Sequence, residues 1–132
     1  MDYPIGEVYG VDGEMKAQLL EMGITTTYQL LERVMDGTSH RALAEQLNVP
    51  VSQITSWVNR ADLMRLNGVG REMANLLEEG GVDSCKELQH RVAANLQAKL
   101  KEINNAQKIA HHAPTVTQVQ SWIEQAKKLA AN

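Results

Sequence analysis

An internal repeat is the feature that most constrains the fold of this 132-residue chain. The segment YGVDGEMKAQLLEMGITTTYQLLERV, residues 9–34, aligns without a gap to NGVGREMANLLEEGGVDSCKELQHRV, residues 67–92, with ten identical positions. Further on, QITSWVNRA, residues 53–61, matches QVQSWIEQA, residues 118–126, and the extra residues of the second copy fall near 105–112. This self-similarity predicts a duplication, with one unit in residues 1–66 and a second in residues 67–132.

Composition and residue pattern predict that both copies are helical. Phe is absent and aromatic residues make up only 4%, so the apolar content is mainly Leu, Ile, Val, Ala and Met, which favours helices. No segment alternates apolar and polar residues with the period of two that a strand requires. The boundary segment WVNRADLMRLNGVG contains no linker. We therefore predict an all-α fold in which the two units and their accessory helices pack as one compact pseudo-twofold bundle.

Capping residues and glycines predict where the helices begin and end. The predicted N-caps are Thr25 or Thr26, Ser39 and Ser52 in the first copy, and Asp83, Asn95 and Thr115 in the second. Thr115 and Gln118 have the spacing of a capping box. Gly23 and Gly80-Gly81 are predicted helix stops. The predicted core includes Met15, Met22, Met35, Met64, Met73, Trp57, Trp122 and the single cysteine, Cys85.

The stretch LNGVGREMANLL, residues 66–77, is the candidate binding motif because it places two glycines directly ahead of a helix. The first N–H groups of a helix have no partner within the helix, and its N-terminus attracts anions. Glycines allow positive φ and let an anion approach the backbone. Gly68, Val69, Gly70 and Arg71 are therefore candidate phosphate-binding residues. The alternative is a purely structural corner with a solvated arginine.

The segment LNGVGREMANLLEEGGVDSCKEL resembles the helix-hairpin-helix family in its glycine-containing turn, in Ala74 and Leu77, and in the glycine before a second apolar helix. The resemblance implies two tandem helix-hairpin-helix units. It also implies that the backbone at Gly68, Val69, Gly70 and Arg71 contacts the phosphates of DNA without sequence preference. The whole chain resembles an uncharacterised bacterial family, a domain of unknown function built from two such units. WVNRADLMRLNGVG and PTVTQVQSWIEQAKKL carry this closer likeness.

The first copy departs from the motif where phosphate binding would need it. It reads Gly10-Val11-Asp12-Gly13, so a carboxylate occupies the position of Gly70. A carboxylate repels a phosphate. We therefore predict that the first hairpin is structural and that only the second is suited to an anion.

The charge distribution places any polyanion contact in the second half. Residues 1–66 contain five Lys/Arg and nine Asp/Glu, whereas residues 67–132 contain eight and seven. The candidate basic surface consists of Lys86, His90, Arg91, Lys99, Lys101 and Lys108, together with His111 and His112. It predicts a contact with nucleic acid or with an acidic protein, and the alternative is an ordinary solvated surface.

Other motifs carry weaker hypotheses. The segment from His40, HRALAEQLNVPVSQITSWVNRADL, resembles a helix-turn-helix that would present Ser52, Gln53, Thr55 and Ser56 to bases, although two simply packed helices are the simpler interpretation. Adjacent histidines at 111 and 112 point in different directions and lack a third ligand, so we predict no metal site. No nucleophile–base pair, P-loop or cofactor motif is present.

These observations predict a non-enzymatic binding module without a cofactor. One hypothesis is weak, sequence-independent binding of the DNA or RNA backbone through the second hairpin. The alternative is a protein-interaction or assembly module in which both hairpins are structural. We expect a cytoplasmic protein without a membrane contact, because no stretch is long and apolar enough to span a bilayer and the first residues lack a signal pattern.

Overall fold

The computed structural model describes residues 1–131, and side chains up to residue 129. These residues form a short 3-10 helix, Ile5–Glu7, and eight α-helices, with no strand beyond one isolated bridge between Pro4 and Thr26. The helices are α1 (Gly13–Glu21), α2 (Thr27–Met35), α3 (His40–Leu47), α4 (Val51–Leu63), α5 (Arg71–Glu79), α6 (Cys85–Leu88), α7 (Ala93–Gln107) and α8 (Val116–Ala131). The predicted all-α class is confirmed.

Side-chain caps explain several of the helix starts. The Thr26 hydroxyl accepts a hydrogen bond from the Gln29 N–H, and the Gln29 side chain accepts one from the Thr26 N–H, which forms a capping box at α2. The same reciprocal pair joins Thr115 and Gln118 at α8, as predicted. Ser39 accepts from the Ala42 N–H at 3.0 Å and begins α3. Each bond satisfies a donor that the helix itself leaves unpaired.

Three predicted caps are wrong. Ser52 lies inside α4, which begins directly after Pro50 because the proline ring holds its own φ at −62° and sets the entry to the helix. Ser84 rather than Asp83 caps α6, with its hydroxyl accepting from the Glu87 N–H at 3.0 Å. Asn95 lies inside α7, because the Leu96 N–H already donates to the carbonyl of Val92 at 2.9 Å.

Glycines in the left-handed region end the two matching helices, α1 and α5. Gly23 has φ +83° and Gly81 has φ +87°. In each case the next N–H reaches back to the helix: Ile24 donates to the Leu19 carbonyl and Val82 to the Leu77 carbonyl, both at 2.9 Å. Glycine tolerates this φ without strain, and the backward bonds satisfy orphan carbonyls. The predicted stops are confirmed.

The core lies around α4 and α8, the helices that carry the tryptophans. α4 packs on α2, α3 and α5, and α8 packs on α6 and α7. Trp57 and Trp122 are buried, as is Met64, while Met15, Met22 and Met73 pack at the edge of the core. The prediction for Met35 is wrong, because this last residue of α2 projects beyond the packed helices and is 84% exposed. Among the described residues, no helix is both long and apolar enough to cross a membrane.

Candidate functional site

The second hairpin places unpaired backbone donors at the start of α5. Gly68 adopts φ +92°, and the N–H of the buried Val69 donates to the Leu66 carbonyl at 3.2 Å. Gly70 precedes the helix and provides no side-chain cap. Within the described part of the chain, the N–H groups of Gly70, Arg71 and Glu72 have no acceptor. The corner therefore presents adjacent donors at a positive helix end.

The first hairpin shares the glycine turn of the second but differs in charge and in the first residue of its helix, because Gly13, at the position of Arg71, has φ +44°. Gly10 adopts φ +95°, and the Val11 N–H donates to the Val8 carbonyl at 3.0 Å. Asp12 occupies the position before α1, and its side chain makes no capping bond. A carboxylate thus stands at the helix entry where the second hairpin has Gly70.

Each hairpin glycine lies against the indole nitrogen of a tryptophan. A Cβ at Gly10 would lie 3.0 Å from Trp57 Nε1, and a Cβ at Gly68 would lie 3.0 Å from Trp122 Nε1. The predicted role of the tryptophans as core anchors is confirmed by their burial. The repeat predicted that each tryptophan packs its helix on a hairpin unit, and the structure adds the contact of each indole nitrogen with the turn glycine.

Residues near the N-terminus form one side of the second hairpin. The Arg71 guanidinium donates to the Gly6 carbonyl at 3.4 Å, and its Cζ lies 5.5 Å from the centroid of the Tyr9 ring. Arg60 approaches the same ring, with its Cζ at 5.0 Å. The Tyr3 hydroxyl lies 3.8 Å from the position that a Cβ on Gly70 would occupy. Arg71 is therefore held beside the hairpin by cation–π and polar contacts with the first half.

The segment between α7 and α8 contacts the first turn of α5. Nδ1 of His111 lies 3.0 Å from Oε1 of Glu72, and the backbone N–H of His111 donates to Oε2 at 3.4 Å. Both side chains are largely exposed, so the pair is weakly attractive. The Glu72 carboxylate repels an anion at the helix end, and a positive charge on His111 would weaken that repulsion.

The predicted basic surface divides into residues with different neighbours. Lys86 borders a small cleft beside Asp62 and Cys85, and Arg91 forms an ion pair with Glu87 at 3.2 Å. Lys99 lies beside Gly81, at the end of α5 opposite to the hairpin. A helix of this length separates its ends by about 13 Å. Lys101, Lys108, His90 and His112 are exposed.

Burial and a hydrogen bond suppress ionisation of Cys85. Its Sγ lies 3.2 Å from the Asp62 carbonyl oxygen, and its N–H donates to Asp62 Oδ2 at 2.8 Å. Desolvation, followed by the nearby Asp62 carboxylate, raises the pKa of the Cys85 thiol to about 12. A neutral, buried thiol is a poor nucleophile, so Cys85 acts as a core residue. No cluster of His, Cys, Asp and Glu within residues 1–131 could hold a metal ion.

An apolar cleft of about 660 Å³ opens between α2, α4 and α8. Its apolar lining is Leu31, Val34, Met35, Val58 and Leu129, with Tyr28 at the edge. Asp62 and Arg65 pair with each other at 2.9 Å. Glu32 is therefore the lining charge without an opposite partner among the described residues.

The fold and the site define an all-α domain in which glycine corners join short helices, and the corners before α1 and α5 both leave backbone donors unpaired among the described residues. The chain belongs to the family described as Domain of unknown function (DUF4332), whose model matches residues 10–129. The match covers both hairpins and the helices that pack on them. No curated protein and no solved structure matches significantly.

Proposed function

We propose that the protein is a non-enzymatic module of two helix-hairpin-helix units that binds the phosphate backbone of nucleic acid without sequence preference. The observation that supports this proposal is the open start of α5. There, the N–H groups of Gly70, Arg71 and Glu72 have no acceptor among the described residues. A phosphate oxygen would complete these hydrogen bonds, and the helix end would stabilise its charge.

The proposal assigns the contact to the second hairpin only. In the first hairpin, Asp12 replaces Gly70 with a carboxylate, which would repel a phosphate across a short distance. Arg71 supplies a positive charge at the second hairpin and is exposed. The two corners share the positive φ of their turn glycine, Gly10 and Gly68, and we attribute the difference in anion binding to the charge that follows it.

The proposed interaction is weak and depends on salt. A single hairpin neutralises few phosphates, and the logarithm of the binding constant falls with the logarithm of salt concentration by about 0.9 per phosphate on duplex DNA. We therefore expect measurable binding at low salt and a shallow salt dependence. No base-reading side chain forms part of the proposal, so affinity should vary little between sequences.

A fluorescence anisotropy titration with labelled duplex DNA, single-stranded DNA and RNA tests the proposal. The variants are Gly70→Asp and Arg71→Ala. Asp fits at position 70 because φ is −100° and the nearest atom to a Cβ is the Tyr3 hydroxyl at 3.8 Å. Arg41→Ala is the matched control, since it removes the same charge from the exposed face of α3.

Wild type should bind at low salt, and Gly70→Asp should abolish binding. Arg71→Ala should weaken binding and reduce the slope of the salt dependence by about one unit, whereas Arg41→Ala should leave the slope unchanged. No binding by wild type at low salt would rule out the nucleic-acid function. Equal losses of affinity in Arg71→Ala and Arg41→Ala would show that the hairpin is not part of the binding interface.

The apolar cleft between α2, α4 and α8 supports a second candidate function, protein binding. Met35 stands at its edge 84% exposed, and Glu32 is its uncompensated charge. The partner that fits is an amphipathic helix whose apolar face fills the cleft and whose basic residue faces Glu32. A labelled helical Leu/Lys peptide should bind wild type more tightly than Glu32→Lys. No difference between the two proteins would exclude this partner.

A further inference from the structure

The second hairpin contains a polar side-chain atom that lacks a partner. Trp122 is 3% exposed, so its indole is almost entirely enclosed by the core. Its Nε1 has no hydrogen-bond acceptor among the described residues, yet the atom is not fully enclosed. The indole N–H therefore reaches the surface. A buried tryptophan usually pairs this donor within the protein, whereas here the donor is left available to a ligand.

The N–H reaches the surface at Gly68, which is exposed. A Cβ on Gly68 would lie 3.0 Å from Nε1, and the φ of +92° also disfavours any other residue. Glycine thus leaves open the space beside the indole nitrogen. Two and three residues further along the chain, the N–H groups of Gly70 and Arg71 are unpaired in the described structure. A side-chain donor from α8 and backbone donors from α5 belong to the same corner.

We propose that the indole N–H of Trp122 donates a hydrogen bond to a non-bridging phosphodiester oxygen at the second hairpin. This inference rests on the proposed function and adds a specific side-chain contact to it. A hydrogen bond from a neutral N–H to an anionic oxygen is stronger than one between neutral groups. It also gives Trp122 a binding role besides packing.

Trp57 is an internal control for this proposal. Its Nε1 has the same 3.0 Å relationship to a Cβ position, at Gly10. Asp12 stands at the entry of the adjacent helix and disfavours an anion there. The two indole nitrogens therefore lie at the same distance from a turn glycine but near different charges, and only Trp122 should contact a phosphate.

Nuclear magnetic resonance of the full chain labelled with ¹⁵N tests the contact directly. The two indole N–H signals are assigned with Trp57→Phe and Trp122→Phe, and a short DNA duplex is added at low salt. The Trp122 indole proton should shift downfield while that of Trp57 stays in place. A stationary Trp122 signal, with shifts at the Gly70 and Arg71 amides, would overturn this inference and leave the proposed function intact. No shift at any of these groups would overturn both.

Affinity provides a second measurement. Trp122→Phe keeps the aromatic packing but removes the donor, and we expect it to weaken duplex binding about tenfold, in line with one hydrogen bond to a charged group. Trp57→Phe should bind like wild type. Equal affinities of the two variants would contradict the proposal. If Trp122→Phe fails to fold by circular dichroism, the indole signal of the wild type decides alone.

Discussion

Arg60 on α4 and Glu78 on α5 form an ion pair across the boundary between the two halves, with Nε and Oε2 2.8 Å apart. The N–H is poorly aligned with Oε2, so the attraction is coulombic rather than a well-formed hydrogen bond. Arg60 also donates to the Ser56 hydroxyl at 2.8 Å and to the Tyr9 carbonyl at 3.3 Å. Ser56 in turn donates to Oε1 of Glu78 at 3.1 Å. The network thus ties α4 to Tyr9, beside the first hairpin, and to the last turn of α5.

Replacing Arg60 with Met should destabilise the fold by about 2 kcal/mol. The side chains of Arg60 and Glu78 are only 12% and 22% exposed, so the substitution leaves a partly buried carboxylate without its counter-charge. Residual solvation keeps the cost below that of a fully buried pair. Urea denaturation followed by circular dichroism measures the free energy of unfolding.

Lys127→Met is the matched control for Arg60→Met. The side chains of Lys127 and Glu124 are 54% and 55% exposed, and Nζ lies 4.0 Å from Oε1. Lys127→Met should therefore lower the free energy of unfolding by less than about 0.5 kcal/mol. Adding Glu78→Leu to Arg60→Met should recover stability, because it removes the stranded charge. Similar losses in the two single variants would show that the Arg60 network does not stabilise the fold.

Two serine substitutions should separate a true helix cap from an apparent one. Ser39→Ala should lower the free energy of unfolding by about 1 kcal/mol, because it leaves the Ala42 N–H at the start of α3 unpaired. Ser52→Ala should change it by less than about 0.5 kcal/mol, since Ser52 is exposed in the first turn of α4 and caps nothing. Thermal unfolding distinguishes them, and a larger cost at Ser52 would contradict the helix boundary.

The pair Ser39 and Ser52 also shows what the sequence can predict. Local signals predicted the all-helical class, the stops at Gly23 and Gly81, and the box at Thr115, because the residues that make these features are neighbours in the chain. The prediction that Ser52 caps α4 is wrong because Pro50, two residues earlier, determines the backbone at the helix start. Adjacent signals compete, and the pattern alone does not show which one determines the start.

The candidate site was only partly predictable for a different reason. The glycines of the second hairpin identify its turn, and Gly68 has the positive φ that such a corner requires. The contacts of Arg71 with Tyr9 and of Gly68 with Trp122 join residues far apart in sequence. No spacing encodes these contacts, because they depend on how the halves pack.

Stability should fall above pH 9 because of Cys85. The thiol pKa is about 12 in the folded chain and 9.0 as a reference value for the unfolded one. Above pH 9 the unfolded chain therefore binds fewer protons, and the free energy of unfolding falls by up to about 1.4 kcal/mol per pH unit until the folded thiol ionises. The stabilising contribution of the neutral thiol is retained at pH values well below 9.

Cys85→Ala isolates this effect. Between pH 7.5 and pH 10 the wild type should lose about 1.4 kcal/mol more than the variant, since other titrating groups are common to both. Urea denaturation at each pH measures the difference. A parallel pH dependence in the two proteins would show that the folded thiol ionises normally.

Asp12→Gly should remove the carboxylate that disfavours an anion at the first hairpin. Asp12 has extended backbone angles and makes no side-chain cap bond, so glycine should fit with a stability change below about 0.5 kcal/mol. Removing the carboxylate ends its repulsion of phosphate at α1 and adds a second contact on the same molecule. We therefore expect duplex affinity to rise about tenfold at low salt and the salt dependence to steepen by about one phosphate.

Glu45→Gln controls for the change in net charge at Asp12, because it removes one negative charge from an exposed position on α3. Anisotropy titrations over a range of salt concentrations compare the two variants with wild type. Long-range electrostatics alone would raise both affinities equally and leave the number of contacted phosphates unchanged. A steeper slope in Asp12→Gly alone would locate the new contact at the first hairpin, whereas equal behaviour would mean that Asp12 does not determine which hairpin binds.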